Sequence, residues 1–208
     1  MDKTSRYAEF KGKDGKSYRF RPAGRDDARR IAELYRAATD GVADYIWGGL
    51  ATAGESVLDV GERRFARSGE DFSWQNCILA GREGAVVGLC HRYLAAQASG
   101  PPPDDFDPVL RPFAELEDPG SLYVAGISID PAHRRTGLAR ELLRLAFGHA
   151  RDCALPRVSA LIFDSNAASR ALFEGVGCRV IDQREVPPHP IIERSGEILL
   201  YSGPAQGG

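Results

Sequence analysis

A chain of 208 residues, 43% hydrophobic and 27% charged, has the ordinary composition of a folded globular protein long enough to bury a sizeable core. Its formal net charge of −2 supplies no basic surface for general nucleic-acid binding. Cys77, Cys90, Cys153 and Cys178 form no C-x-x-C pair, no apolar run approaches bilayer length and no apolar N-terminal stretch suggests a signal peptide, so the expectation is a cytoplasmic, membrane-free protein with reduced thiols.

In chain order, residues 1–16, with Lys11-Gly12-Lys13-Asp14-Gly15-Lys16, read as a charged leader able to form a small hairpin through Asp14-Gly15. Ser17–Pro22 alternates and carries two aromatics, which predicts a first strand. Pro22-Ala23-Gly24 breaks it, and Asp26 or Asp27 then begins a helix with Ala28, Ile31, Ala32, Leu34 and Tyr35 on its apolar face. From Asp40 to Gly69 the composition stays helical, broken at Gly48-Gly49 and Gly54. Phe72–Ala80 and Ala85–Ala95 read as strands joined at Gly81-Arg82-Glu83-Gly84. Pro101-Pro102-Pro103 ends regular structure, and the acidic stretch Asp104–Asp118 follows, with a short helix expected over 108–116.

Ser121–Asp152 reads as a buried strand, a tight basic turn and a long helix, with Leu138, Leu142, Leu145, Ala146 and His149 on one face of a 3.6-residue period. The turn Arg134–Ala139 can offer several backbone N–H groups to an anion at the helix N-terminus. Arg134 and Arg135 add positive charge, and Gly137 removes the Cβ that would keep a phosphate away. The chain then continues with a strand at Arg157–Phe163 and a helix at Ala167–Glu174 preceded by three N-cap candidates, Asp164, Ser165 and Asn166. Two closing strands, Cys178–Val186 and Gly196–Ser202, flank the stiff loop Pro187-Pro188-His189-Pro190. No repeat or linker interrupts residues 17–204, which reads as one domain.

Arg134-x-x-Gly137-x-Ala139 resembles the R/Q-x-x-G-x-G/A motif of the GNAT superfamily of acyl-CoA-dependent N-acetyltransferases. The segment from Asn166 to Cys178, NAASRALFEGVGC, resembles that family's N-x-x-A-x-x-L-Y-x-x-x-G-F. The resemblance covers roughly Ser121–Val180. It implies an α/β (α+β) fold: a mixed, mostly antiparallel twisted sheet of about seven strands, with a splayed central strand pair and helices on both faces. It implies acetyl-CoA as co-substrate. Arg134, Arg135, Thr136, Gly137, Leu138, Ala139 and Arg140 would hold the pyrophosphate. Backbone groups of Ile127 and Ile129 would serve the pantetheine and thioester, their side chains lying in the core, while Asn166, Ser169 and Phe173 would also meet the cofactor. In such folds the first two helices border the acceptor, where Tyr45, Ile46, Trp47 and Leu50 could reach it or simply pack, and the acidic stretch could steer a cationic amine or simply face water.

Direct attack of an amine on a thioester needs no nucleophilic residue, and no G-x-S-x-G elbow occurs. It does need a proton acceptor for the ammonium and a proton or equivalent stabilisation for the leaving thiolate. Where the family commonly carries an acidic tyrosine this chain has Phe173, which cannot donate a proton. Where many relatives place a glutamate early on the central strand it has Leu122 and Tyr123. Tyr123 at the acceptor end and Ser128 on the same strand are the candidate catalytic residues, with Glu117 and Asp118 able to act from the preceding loop. His133, beside the phosphate-binding turn, is at the wrong end, and no residue spacing resembles a metal site. The reading is an N-acetyltransferase acting on a primary amine of a small molecule or protein, with a non-catalytic acyl-CoA-binding or sensor module as the alternative. The P-loop and dinucleotide-binding glycine patterns do not occur. The closing strands could pair between subunits, which leaves a homodimer open.

Overall fold

Strand periodicity sets the first elements of the computed structural model, which describes residues 9–95 and 100–206. Half of the charged leader, residues 1–8, lies outside this range. Strand β1 (Glu9–Lys11) pairs antiparallel with β2 (Ser17–Pro22), closing the hairpin at Asp14-Gly15, where Gly15 takes φ +76°. The alternation along β2 buries Tyr18 and Phe20 and exposes their neighbours. Strands β3 (Cys77–Arg82) and β4 (Ala85–Leu94) form the second hairpin, and β5 (Leu122–Ile129), β6 (Arg157–Phe163), β7 (Arg179–Val186) and β8 (Gly196–Pro204) complete an eight-stranded, mostly antiparallel sheet in the order β1-β2-β3-β4-β5-β6-β8-β7. The count exceeds the expected seven because the leader contributes β1. One pairing is parallel: β5 meets β6 only at Leu122↔Val158 and Tyr123↔Ser159.

The chain divides into two compact units, residues 1–92 with 126–145, and residues 93–125 with 146–208. In the first, α1 (Ala28–Arg36), α2 (Val42–Leu50) and α3 (Val57–Phe65) pack closely. Gly61 lies inside α3 because a Cβ there would stand 2.5 Å from the buried Trp47 ring and 2.9 Å from Ala32. Trp47 is thus core. Gly48-Gly49 does not break α2, as the sequence suggested; the helix runs through it, and the extended backbone at Ala51 ends it. The strand expected from Phe72 begins instead at Cys77. The Ser73 hydroxyl accepts from Gln75 N–H at 3.1 Å and donates to Arg67 C=O at 2.7 Å, so local bonds hold a short 3₁₀ turn, Trp74–Asn76, in place of a ladder.

His91 is fully buried in this unit, its ring 5.1–5.4 Å from those of Phe72, Phe65 and Tyr35, with Nε2 at 2.9 Å from the Asp71 carbonyl. Burial pushes its pKa down from 6.5 to about 4.

The second unit is tied by a buried carboxylate. Asp118 accepts from Arg157 Nε at 2.9 and 3.1 Å and from the Ser202 hydroxyl at 2.6 Å, and Ser121 and Ser159 share a buried hydroxyl pair at 2.6 Å. Its helices are α4 (Arg111–Glu115) and α6 (Ala167–Glu174). Helix α4 is shorter than expected, because the Asp107 carboxylate accepts from the N–H groups of Val109 and Leu110 and holds a turn there. Helix α5 (Leu138–Asp152) buries Leu138, Leu142, Leu145 and Ala146 as expected, and also Leu143, Phe147 and Ala150. His149 is only half-buried, at the edge of that wider stripe. Among the described residues no helix is long and apolar enough to cross a membrane.

Because His91 takes up its proton in the unfolded chain near pH 6.5 but in the fold only near 4, its contribution to stability is complete above about pH 6.5 and is lost as pH falls toward 4. The thermal midpoint should fall across that window, and His91→Gln should flatten this part of the profile; an unchanged slope in the variant would remove His91 as its source.

Candidate functional site

The end of β5 and the start of α5 lie in the first unit and are fixed by a chain of short contacts. Asp130 N–H donates to the Val87 carbonyl at 2.9 Å, while the Asp130 carboxylate receives the Arg30 guanidinium at 2.5 Å. Pro131–His133 then makes a 3₁₀ turn, with His133 N–H on the Asp130 carbonyl at 2.8 Å. Arg134 is tied back to the strand, its Nε donating to the Ile129 carbonyl at 3.1 Å. Arg135 follows at φ +63° and Gly137 at φ +96°, so the backbone reverses twice before the helix starts. Leu138, 1% exposed, pins the first turn of α5 into the core.

Arg134 N–H donates to the Pro131 carbonyl and Glu141 N–H to that of Gly137. Among the described residues, the six N–H groups between them, of residues 135–140, find no protein acceptor. Unpaired N–H groups in such a run cost free energy unless water or a ligand accepts from them. Joined to the positive end of a 15-residue helix and to the exposed Arg134, Arg135 and Arg140, they form an anion cradle of the kind a pyrophosphate occupies. The Thr136 side chain is not part of the rim. It is 5% exposed, and its hydroxyl donates to the His133 carbonyl at 2.7 Å.

The leader braces this turn from beneath, and no sequence signal linked the two. Lys13 N–H donates to the Thr136 carbonyl at 2.9 Å. The Phe10 ring lies 3.3 Å from where a Cβ on Gly137 would stand. The Tyr18 hydroxyl donates to Asp14 at 2.9 Å and sits 3.2 Å from His133 Nδ1. Burial, then the Asp14 carboxylate, raise the Tyr18 pKa. His133 is therefore a bracing residue at the phosphate end.

Of the strand residues, Ile129 is buried as expected, but Ile127 is only half-buried because three successive residues, Ala125–Ile127 with Gly126 among them, depart from strict alternation. Ser128 is 6% exposed. In the second unit, Tyr123 is half-buried and meets Tyr93 edge-on at 5.3 Å, a partner the sequence did not suggest. Asp118 is held by Arg157 and Ser202 in the polar network of this unit. Asn166 caps α6, accepting from Ser169 N–H at 3.2 Å. Phe173, 4% exposed, faces the Tyr201 ring at 6.5 Å. Tyr201 does not replace the missing hydroxyl: its OH donates to Glu174 at 2.8 Å and accepts from Arg170 at 3.3 Å. Among the described residues no group of three or more His, Cys, Asp or Glu could hold a metal ion.

The model of the acetyltransferase (GNAT) family matches residues 50–177, more than half of the chain, and includes both the cradle and the cap of α6. The chain belongs to the GNAT acetyltransferase family. A mycothiol acetyltransferase of Thermobispora bispora is 29% identical over 140 residues, 59% of this chain; the aligned part is 42% of that protein's length. Among solved structures, the acetyltransferase yncA of Salmonella typhimurium with acetyl-CoA is similar at TM-score 0.57 and 20% identity, covering 91% of this chain and 94% of that one. Diaminobutyrate acetyltransferase EctA of Paenibacillus lautus, in complex with L-2,4-diaminobutyric acid and coenzyme A, is similar at TM-score 0.56 and 18% identity, covering 93% and 99%. These likenesses share the fold.

Against the GNAT pattern, Phe173 removes a hydroxyl and Cys178 replaces an aromatic. Cys178 is buried, and burial raises its thiol pKa to about 11, which makes it a packing residue. The Arg134-x-x-Gly137-x-Ala139 turn, by contrast, keeps every fixed position of the family's R/Q-x-x-G-x-G/A motif. A Cβ on Gly137 would face the Phe10 ring at 3.3 Å, not an open phosphate path as the sequence suggested, so Gly137→Asp forces a side chain onto a φ of +96° against the leader and disturbs the turn that presents the N–H groups. Acetyl-CoA affinity measured by calorimetry should drop at least about 100-fold; an unchanged Kd would overturn the cradle assignment.

Proposed function

We propose that this GNAT protein transfers an acetyl group from acetyl-CoA to a primary amine by direct attack, with residues 17–204 acting as one catalytic domain. The run of six acceptor-free N–H groups at residues 135–140 carries the reading, because unpaired donors at a helix N-terminus beside exposed arginines are what a diphosphate can fill. When bound, acetyl-CoA supplies an activated thioester whose carbonyl carbon takes the amine as the C–S bond breaks. The chain's own residues hold and orient. Arg134, Arg135, Gly137, Ala139 and Arg140 secure the phosphates, with Thr136 and Leu138 supplying backbone N–H groups. Backbone groups of Ile127 and Ile129 align the pantetheine and thioester, and Asn166, Ser169 and Phe173 bound the cofactor from α6.

Tyr123 is the assigned positioning group for the amine and relays its proton through water. Ser128 supports the strand at the reacting end. Phe173 leaves the thiolate without a side-chain acid, so a thiol that ionises near neutral to mildly basic pH departs into water unaided. A small amine is the favoured acceptor, since EctA and this chain share a fold and EctA holds a diamino acid. A cytoplasmic setting fits three buried cysteines kept as thiols.

Acetyl-CoA binding and turnover separate the enzyme from its alternative, a non-catalytic acyl-CoA sensor motivated by Phe173. Acetyl-CoA at a hundredfold excess over Kd should stabilise the fold by about 2.7 kcal/mol. CoA release over a panel of primary amines should then show turnover, and Tyr123→Phe should lower kcat about tenfold with the KM for acetyl-CoA within about twofold. Stabilisation without turnover of any amine would favour the sensor; no stabilisation would end both readings.

A further inference from the structure

The leader hairpin does more than brace the turn. Its loop sequence, Lys11-Gly12-Lys13-Asp14-Gly15-Lys16, places three lysines over six residues, and all three are exposed. Among the described residues none of them forms an ion pair within 4.0 Å. The acids nearest in the hairpin are Asp14 and Glu9. Asp14 is already engaged, accepting from the Tyr18 hydroxyl at 2.9 Å and from Lys16 N–H at 3.1 Å, and Glu9 lies on β1.

The loop is also fixed in place. The Lys13 N–H bond to the Thr136 carbonyl spans 2.9 Å, Gly12 meets the Thr136 side chain, and Tyr18 reaches His133. Lys13 is therefore anchored one peptide bond from the N–H groups that hold a phosphate, with its ammonium on a flexible stem. Gly12 is held in this arrangement because a Cβ there would stand 2.5 Å from the Asp14 carboxylate and 2.9 Å from the Tyr18 ring. The cradle's own donors, the backbone N–H groups of residues 135–140 with Arg134, Arg135 and Arg140 beside them, are taken up by the two singly charged phosphates of a diphosphate. A monoester phosphate carries between one and two negative charges near pH 7, more than each phosphate of the diphosphate, and lysines acting as point charges can add the extra positive charge it needs.

We propose that the loop 11–16 is a second phosphate contact, in which Lys13, assisted by Lys16, binds the ribose 3′-phosphate monoester of the CoA nucleotide and so selects CoA over its dephospho form. This rests on the proposed function, in that CoA occupies the cradle. It assigns specificity to a segment outside residues 50–177, the part matched by the family model.

The test is calorimetric binding of acetyl-CoA and of 3′-dephospho-acetyl-CoA, which differ only in that phosphate, to the full chain at moderate salt. The wild type should prefer acetyl-CoA about tenfold or more, and Lys13→Ala/Lys16→Ala should reduce the preference to about twofold by weakening acetyl-CoA alone. Lys13→Arg/Lys16→Arg should keep it, and exposed side chains leave the ligand-free thermal midpoint unchanged. Equal affinity of the wild type for the two compounds, or a preference that survives in the alanine variant, would overturn this inference and leave the cofactor assignment standing. Failure of the wild type to bind either compound would take down the cofactor assignment and this inference with it.

Discussion

Six consecutive backbone N–H groups without a protein acceptor are the constraint around which the first unit is built. Residues 137–140 are the unpaired donors that any helix N-terminus leaves, and residues 135 and 136 extend the run by two. Two residues in the left-handed region shape the turn that leads into the helix. Gly137 adopts φ +96° freely, but Arg135 at φ +63° pays a steric cost of about 1 kcal/mol or more. Neighbouring contacts hold that conformation: Arg134 bonded to Ile129, Thr136 to His133, and Leu138 sunk in the core. The strain makes functional sense as preorganisation, since donors already aimed need no reordering when an anion arrives.

The same logic extends to the hairpin beneath. Thr136 presents its carbonyl to Lys13 and its hydroxyl to His133, so neither group competes with an incoming phosphate. Tyr18, buried, links His133 to Asp14. A leader that composition alone marks as loose surface is in fact stitched to the most strained part of the chain. In the second unit the buried groups are organised differently: Asp118 collects Arg157 and Ser202, and Tyr201 collects Glu174 and Arg170, so the polar atoms there are consumed by one another. That is why Tyr201 leaves the role vacated at Phe173 unfilled.

Much of the fold was legible because the chain states it locally. Arg157–Phe163 and Ala167–Glu174 agree with expectation to the residue, since an apolar strand and an N-capped helix carry their signals in adjacent side chains. Boundaries failed where a side chain bonded to its own backbone: Ser73 delayed β3, and Asp107 shortened α4. Gly48-Gly49 misled for the opposite reason, because packing of Trp47 against Gly61 carries α2 through two weak helix formers.

By itself the sequence determined the order of elements, the glycine turn from Arg134 to Ala139 at a helix start, the cap at Asn166 and the missing hydroxyl at Phe173. All of these depend on residue type and short-range spacing, which a chain cannot hide. Tertiary structure alone decided that Lys13 meets Thr136, that His133 serves Tyr18, that Asp118 is spent on Arg157, and that Tyr123 packs on Tyr93. Those pairs are separated by up to 123 positions, and their energies exist only once the sheet has brought the strands together.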